Sequence, residues 1–600
     1  MIFKEKLCYG HALAFICVLY ICGRQGQPAL AAQPGEGSSA SAAVSPSGAT
    51  DDEKAPPTGE SEERLLPRRP LETQPELLPK DEDDFKVFTD RWRIVPPPFE
   101  VNVQGRIWDP YNQNVLKGDY PIYGQDLFLN LGLTVDTLVE GRTLPTPSSV
   151  SSDRPGSTPF FGKRTQFFVN NNVALSVDLF KGDTAFKPFD WRVRGTFIGN
   201  VNYLKVRENA VVNPDVRRGT DRLDGIAALQ ELFGEVKLAD VSPNFDFVSV
   251  RGGIQPFNSD FRGFVFTDTN LGGRLFGNFE SNRNQYNIAF FHRLEKDTNS
   301  GLNTFEKRSQ LVWIANFYRQ DFLFPGYTAQ LSVHHMRDPK SFHFDNNDFL
   351  ARPDAVGSFT PHRVRATYFG WTGDGHIGRF NVTHAFYTVR GRDNFNPIAG
   401  RGVFIEGYMA AAELSYDRDW YRPKVSYFYA SGDKDPLDRK ARGFDSIFDN
   451  PAFAGGGFSF WNRLGIKLTG TGVNLVNRGS LLPDLRSGKD EGQPNFVNPG
   501  IHIVNAGVDL EVTPKVKALI NANYLRFDST DTLKLLLFQS RFRKEIGWDL
   551  SAGIRYRPLL NNNVILLLGY AVFLPGKGFE DIYESRHPLF SAFSNLTLTY

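Results

Sequence analysis

Six hundred residues carry 68 Lys and Arg against 67 Asp and Glu, with 22% charged and 41% hydrophobic positions. Crossing a bilayer with several helices needs repeated apolar runs of about 20 residues, and the sequence after Ala32 has none, which excludes a multi-spanning helical protein. All three cysteines, Cys8, Cys17 and Cys22, sit at the amino terminus, so the remainder holds no disulfide, iron–sulfur cluster or thiolate catalyst. With 52 Phe, 21 Tyr and 55 Gly against three Met, the composition favours strands and turns over helix packing.

Lys4 and Lys6 precede an apolar run from Ala12 to Cys22, and Ala29-Leu30-Ala31-Ala32 supplies a small-residue cleavage pattern. Residues 1–32 therefore read as a secretory signal peptide, the run being too short for a spanning anchor. Neither Cys17 nor Cys22 has the Leu-Ala-Gly-like approach of a lipoprotein box. Residues 33–95 are rich in Pro, Ser, Ala and Glu, with Ser38-Ser39-Ala40-Ser41 and Asp81-Glu82-Asp83-Asp84 as extremes. Such a stretch cannot bury enough apolar surface to offset ordering entropy, so a disordered acidic periplasmic linker is expected there. Residues 33–84 hold thirteen acids and five bases, net −8, while residues 1–32 carry +2; the rest of the chain is left at +7 against a total of +1. The acidic leader is thus a place where a periplasmic export or envelope partner could dock.

From residue 96 the dominant signal is period-two alternation broken by turn clusters. Leu127, Leu129, Leu131, Leu133 and Val135 share one face of a strand opposite Phe128, Asn130, Gly132, Thr134 and Asp136. Val504, Ala506, Val508 and Leu510 stand opposite Asn505, Gly507, Asp509 and Glu511, and Trp548, Leu550, Ala552 and Ile554 opposite Asp549, Ser551, Gly553 and Arg555. Val564 to Leu574 is long enough for a tilted membrane strand. A soluble β-sandwich alternates in the same way. Three features favour a membrane barrel instead: aromatics near strand ends (Tyr416, Tyr524, Tyr556), short turns such as Thr513-Pro514-Lys515 alternating with long stretches such as Gly432–Asn462 and Thr469–Pro499, and the ending Asn595-Leu596-Thr597-Leu598-Thr599-Tyr600. That ending resembles the assembly signal on the last strand of bacterial outer-membrane proteins.

Residues 96–600 are therefore expected to form an all-β, transmembrane antiparallel barrel in the bacterial outer membrane. At about 28 residues per strand and loop the length gives about 18 strands, in a range of roughly 16–20, and barrels of this size enclose an aqueous channel. With the apolar face towards lipid, opposite parity turns Arg192, Arg194, Arg251, Arg555, Glu231 and Glu235 into the lumen, beside Glu413 and Asp549. Mixed charge of this kind serves either cross-strand ion pairing or a path for anionic solutes.

The run Val248-Ser249-Val250-Arg251-Gly252-Gly253-Ile254-Gln255-Pro256-Phe257, continuing through Asp260-Phe261-Arg262-Gly263-Phe264 to Gly272-Gly273-Arg274-Leu275-Phe276, resembles alginate-export-type outer-membrane barrels. Tyr429-Ala430-Ser431-Gly432-Asp433-Lys434-Asp435-Pro436 and the section from Asp531 to Gly576 are similar to the same group, and together the matches cover about half the barrel. The resemblance implies an 18-stranded monomer with an arginine-lined constriction that passes an anionic polysaccharide, with Arg251, Arg262 and Arg274 carried over to it. The long acidic leader departs from that pattern, and Asn112 to Pro121 has no matched role.

Other signals are weaker. Gly432 to Pro436 with Asp438 has the oxygen density of a calcium loop but lacks the EF-hand pattern. His334 and His335 point to opposite faces of a strand. No nucleophile elbow, P-loop or His-Glu-x-x-His stretch occurs, and no nucleic-acid partner, metal or cofactor is expected. Leu533, Leu536 and Leu537 suggest a short helix over Asp531–Phe538. The reading is a non-enzymatic passive channel or exporter for an anionic polysaccharide or a small anionic or sugar solute. Its rivals are a barrel that sheathes a periplasmic partner, and a rim hydrolase using His362, His376 or His384.

Overall fold

A computed structural model describes Arg106 and residues 113–146, 162–182, 188–466, 468, 479–483 and 485–600. The signal peptide and the acidic leader lie outside them. Eighteen strands form the wall: β1 Leu127–Thr143, β2 Thr165–Lys181, β3 Trp191–Lys205, β4 Asp221–Asp240, β5 Phe247–Asn258, β6 Thr267–Phe279, β7 Asn284–Lys296, β8 Asn303–Arg319, β9 Tyr327–Asp338, β10 Val364–Ile377, β11 Phe380–Asn396, β12 Arg401–Tyr416, β13 Tyr421–Ala430, β14 Ile501–Thr513, β15 Val516–Arg526, β16 Glu545–Tyr556, β17 Val564–Pro575 and β18 Leu589–Thr599. Each pairs antiparallel with its sequence neighbour, and β1 pairs with β18 from Thr134↔Thr599 to Arg142↔Ser591, so the sheet closes. Closure leaves no lipid-exposed sheet edge, as hydrocarbon requires.

Alternation decides which face each side chain takes. Leu175, Val193, Phe197, Val201, Leu331, Phe369, Trp371, Phe386, Val504, Ile520, Ile554 and Leu568 are all exposed on the outer surface, while their strand neighbours are covered. That continuous apolar belt suits lipid, with Phe380 against Tyr416 (4.8 Å between ring centroids) and Tyr524 against Trp548 (5.1 Å) on strands at its margins. No described helix is long and apolar enough to cross a membrane.

Turns after even strands are tight, as at Gly378–Arg379, Pro514–Lys515 and Asp417–Trp420; connections after odd strands include residues 339–363, 431–500 and 527–544. The described start of the chain and Tyr600 both lie at the short-turn end. There β1 runs past β18, and the segment leading in covers its free edge. The Leu131 N–H donates to Leu116 O (2.7 Å), Tyr600 N donates to Leu133 O (2.8 Å), and the Lys117 Nζ lies 5.7 Å from the Tyr600 ring centre. The part of Asn112–Pro121 that is described thus seals the barrel seam.

Three short helices occupy the long connections: α1 Phe460–Leu464, α2 Asp531–Leu536 and α3 Lys577–Tyr583. α2 falls where leucine spacing placed it and buries Leu533.

The main departure from expectation concerns the long connection between β13 and β14. It turns inward, and the largest cluster of buried apolar side chains is inside the barrel, where Phe444, Phe448, Phe453, Phe460, Trp461 and Phe496 pack on Phe264, Phe266, Phe428 and Phe573. Gly455 to Gly457 forms a left-handed corner into a 3-10 turn, with Gly455 pressed on Asn521 of the wall. A Cβ on Gly432 would lie 2.2 Å from Pro499 O, so the two ends of the connection meet closely before it dives.

Candidate functional site: the strapped lumen

The inward segment is a strap fixed at both ends. On one side residues 448–452 run beside the inward-folded β5–β6 tip: Thr267 N donates to Phe448 O (2.8 Å), Phe448 N to Val265 O (3.0 Å), Asn450 N to Gly263 O (2.9 Å) and Ala452 N to Arg262 O (2.9 Å). Gly263 has φ +80°, and a Cβ there would meet Thr267 Oγ1 at 2.7 Å and Asn450 O at 2.9 Å, so glycine is required. On the other side Asp549 of β16 accepts from Ser459 Oγ (2.6 Å), Phe460 N (3.1 Å), Trp461 N (3.2 Å) and Asn523 Nδ2 (3.0 Å). Glu140 of β1 pairs with Arg463 (3.0 Å) and Arg142 (3.4 Å) and accepts from Ser591 Oγ (2.6 Å). Farther along, Arg308 donates to Gly492 O (2.8 Å) and Thr298 Oγ1 to Glu491 (2.7 Å). Buried charges are tolerated when their partners compensate the lost water: Glu140, Arg463 and Arg308 are ion-paired, and Asp549 accepts four hydrogen bonds.

The structure places the predicted lumen residues in different environments. Arg192 grips Asp178 (2.6 Å) and lies 4.6 Å over Phe189; Arg251 grips Glu235 (2.7 Å) and lies 4.5 Å over Phe233. Both guanidinium groups are nearly dry, at 6% and 7% side-chain exposure, and act as wall structure. Arg194 pairs with Glu231 (2.8 Å), which also accepts from Thr196 Oγ1, yet stays 30% exposed. Arg274 donates to Asn287 Oδ1 (2.7 Å) and lies 4.1 Å over Phe276, directly opposite Arg251 in the register. Arg555 is half-buried near the short-turn rim, opposite Lys517, and its Nε has no hydrogen-bond partner among the described residues. Arg262 does not line the wall: carried inward by the β5–β6 tip, it reaches Thr383 Oγ1 (2.8 Å) and Glu413 (3.0 Å) on β11 and β12.

Sequence reasoning missed an amide ladder beside Arg194. Asn200 Nδ2 donates to Asn170 and Asn172 (2.7 Å each), and Asn202 Nδ2 to Asn200 Oδ1 (2.9 Å). The signal was Asn at i and i+2 in two neighbouring strands, Asn170-Asn171-Asn172 and Asn200-Val201-Asn202. Arg222 was also missed; it stands at the long-loop end of the same wall with buried Nε and Nη1 atoms that have no hydrogen-bond partner among the described residues. Asn170, Asn172, Ser176, Arg194, Arg222 and Glu231 are only half-covered, whereas the inward residues of β8 to β13 above the strap, such as Gln310, His334, Tyr368 and Met409, are buried. On β2 to β4 these half-covered polar groups are separated by the buried Ala174, Ile198 and Ala228, on which Leu302 of the β7–β8 connection packs.

The remaining motifs do not converge. His384 faces lipid and contacts Tyr327 Oη (2.7 Å), His376 lies against Gly326 at the short-turn rim, and His362 is held by Asp393 (2.8 Å) at the opposite end. Asp433 is buried, meeting Asp435 N (3.1 Å) and Arg442 (3.6 Å), a closed turn. No group of acids and histidines among the described residues is arranged for a metal ion.

The fold and lumen define the class: a closed 18-strand antiparallel membrane barrel with a folded-in strap. No family model and no curated protein matches the chain. Solved structures similar to it include Pseudomonas aeruginosa OccK9 (OpdG), at 11% identity and TM-score 0.43 over 78% of this chain and 98% of that one. Acinetobacter baumannii OccAB1 aligns at 9% identity and TM-score 0.44 over 78% and 96%. A BenF-like porin from Pseudomonas fluorescens Pf-5 aligns at 8% and 0.41 over 79% and 98%.

Proposed function

We propose that the protein is a passive outer-membrane channel for small polar solutes, preferring anionic ones, that move along the β2–β4 wall past Arg222, the Asn170–Asn202 amides and Arg194. The observation that carries this reading is the set of half-covered polar side chains on β2–β4, Asn170, Asn172, Arg194 and Arg222 among them, beside a strap that buries the inward face of β8 to β13. Fixed cations and amides replace part of a solute's hydration, and charge placement in a narrow pore sets selectivity. The short-turn end, with Tyr600, is the periplasmic one in this reading.

The resemblance to alginate-export barrels supports a finer version in which the solute is an anionic polysaccharide. A chain of that thickness needs the strap to leave the lumen, and the space a sheathed partner would take is filled by the strap itself. Single-channel recording in a planar bilayer tests the reading. An anion-preferring pore blocked by a small organic acid supports it; acidic oligomers that block current while small acids do not would favour the polymer. A folded barrel without anion preference contradicts both.

A further inference from the structure

A charged feature on the outer surface takes no part in the solute route. At the long-loop rim Arg337 of β9, Arg365 of β10 and Arg392 of β11 stand directly opposite one another across two strand pairs. All three are exposed and share the parity of the lipid-facing Val333, Phe369 and Phe386. Directly opposed side chains have Cβ atoms about 4.5–5.5 Å apart, where like charges repel, so three such arginines in a row call for an anion. Among the described residues none of the three forms an ion pair: Glu406, on the same face, is taken by Arg390 (2.7 Å) and Lys440 (3.8 Å). Arg392 lies 5.4 Å over Phe404, which fixes its plane. Lys307, Lys340 and Arg363 are exposed on the same rim. Phe369 follows Arg365 by four residues, about 13 Å along a strand, with Trp371 beyond it; both are about half-exposed (48% and 49%). The row therefore stands at headgroup depth above the apolar belt.

We propose that Arg337, Arg365 and Arg392 bind the phosphate groups of an anionic lipid in the outer leaflet, whose acyl chains lie along Phe369 and Trp371. Guanidinium forks match phosphate oxygens bidentately. A lipid is favoured over a soluble anion because the row points away from the lumen and is continuous with the hydrocarbon-facing surface. The inference rests on the membrane orientation proposed above.

The test uses the mature full-length protein in detergent, with purified diphosphorylated lipid A, its dephosphorylated counterpart and inorganic pyrophosphate as probes. Native mass spectrometry should show about one diphosphorylated lipid per barrel, retained at least tenfold better than the dephosphorylated one, and Tm should rise with the former only. Arg337→Gln/Arg365→Gln/Arg392→Gln should lose that preference, and the corresponding Lys triple, which keeps charge but not the fork, should recover part of it. Equal retention by the Gln triple overturns the proposal, as does an equal Tm rise with pyrophosphate, which would make the row a free-phosphate site. Heat-dependent gel mobility and bilayer conductance run in parallel: a chain that neither inserts nor conducts fails as a channel, whereas a conducting barrel without phosphate preference fails the lipid proposal alone.

Discussion

Arg192 and Arg251 differ from Arg194 in what their guanidinium groups are free to do. The first two are dry, bidentate and stacked on phenylalanine; the third keeps a third of its surface in water. Arg251→Ala strands the buried Glu235, and Arg192→Ala leaves the buried Asp178 only the weaker pair with Arg194 at 3.8 Å; removing one partner of a buried pair costs about 3–5 kcal/mol. Thermal unfolding should register that loss. Arg194→Ala, whose side chain is 30% exposed, should lower Tm less than either while the anion-to-cation permeability ratio falls towards one. Inward orientation of these residues was legible from period two alone. Which of them are locked was not, because the pairing register between neighbouring strands decides whether Asp178 or Asn287 meets an arginine, the bulge between Thr196 and Phe197 shifts the register at Glu231, and Glu413 reaches Arg262 from a strand distant in sequence. Asparagine drew no attention because neutral amides carry no charge signal, yet the half-covered Asn170 and Asn172 and the buried Asn200 and Asn202 form one hydrogen-bonded ladder across β2 and β3.

The strap is held by side chains from several strands and loops, among them Asp549, Glu140, Arg308 and Arg352. Asp549→Ala removes the acceptor for two α1 backbone N–H groups and for Ser459 and Asn523, each left buried at about 1–3 kcal/mol. Hydrogen exchange in residues 459–466 should accelerate while the wall stays protected; unchanged protection would contradict the anchoring role. The strap and its neighbouring loop also respond to pH. Burial, ahead of the nearby Glu491 charge, pushes Asp345 up to about 6, and burial pushes Asp445 up to about 6 against the pull of Arg486. A carboxyl whose folded pKa lies above its unfolded value binds more protons when folded, so stability falls as pH rises from about 4 to 6 and is regained on acidification. Rate-corrected exchange protection in residues 339–363 and 485–498 should therefore be greater at pH 4.5 than at pH 7, and Asp345→Asn should flatten the difference in the first segment. The length of the β13–β14 connection was visible in sequence; its inward direction was not, since Asp549 and Glu140 lie far along the chain from Ser459 and Arg463. α2 could be placed because its leucine spacing is local.

At the scale of the molecule, strand number followed from length and parity, and closure follows from β1 pairing with β18. Closing an 18-strand wall makes a lumen too wide to be filled by wall side chains, and the chain fills much of it with its own strap. Chain length therefore carries the size of the wall, while how far the lumen is filled is set by contacts between distant segments such as Asp549 and Ser459. Because Gly432 lies against Pro499, and Ala430 pairs with Ile501, deleting residues 433–498 leaves ends already adjacent; Glu140 keeps Arg142 as partner in that variant. The measurement that tests the account most directly is single-channel conductance of the native protein against this deletion in the same planar bilayer. The account predicts a small, anion-preferring native conductance that rises several-fold on deletion. Equal conductance in two folded barrels, or current through neither, would contradict a route narrowed by the strap.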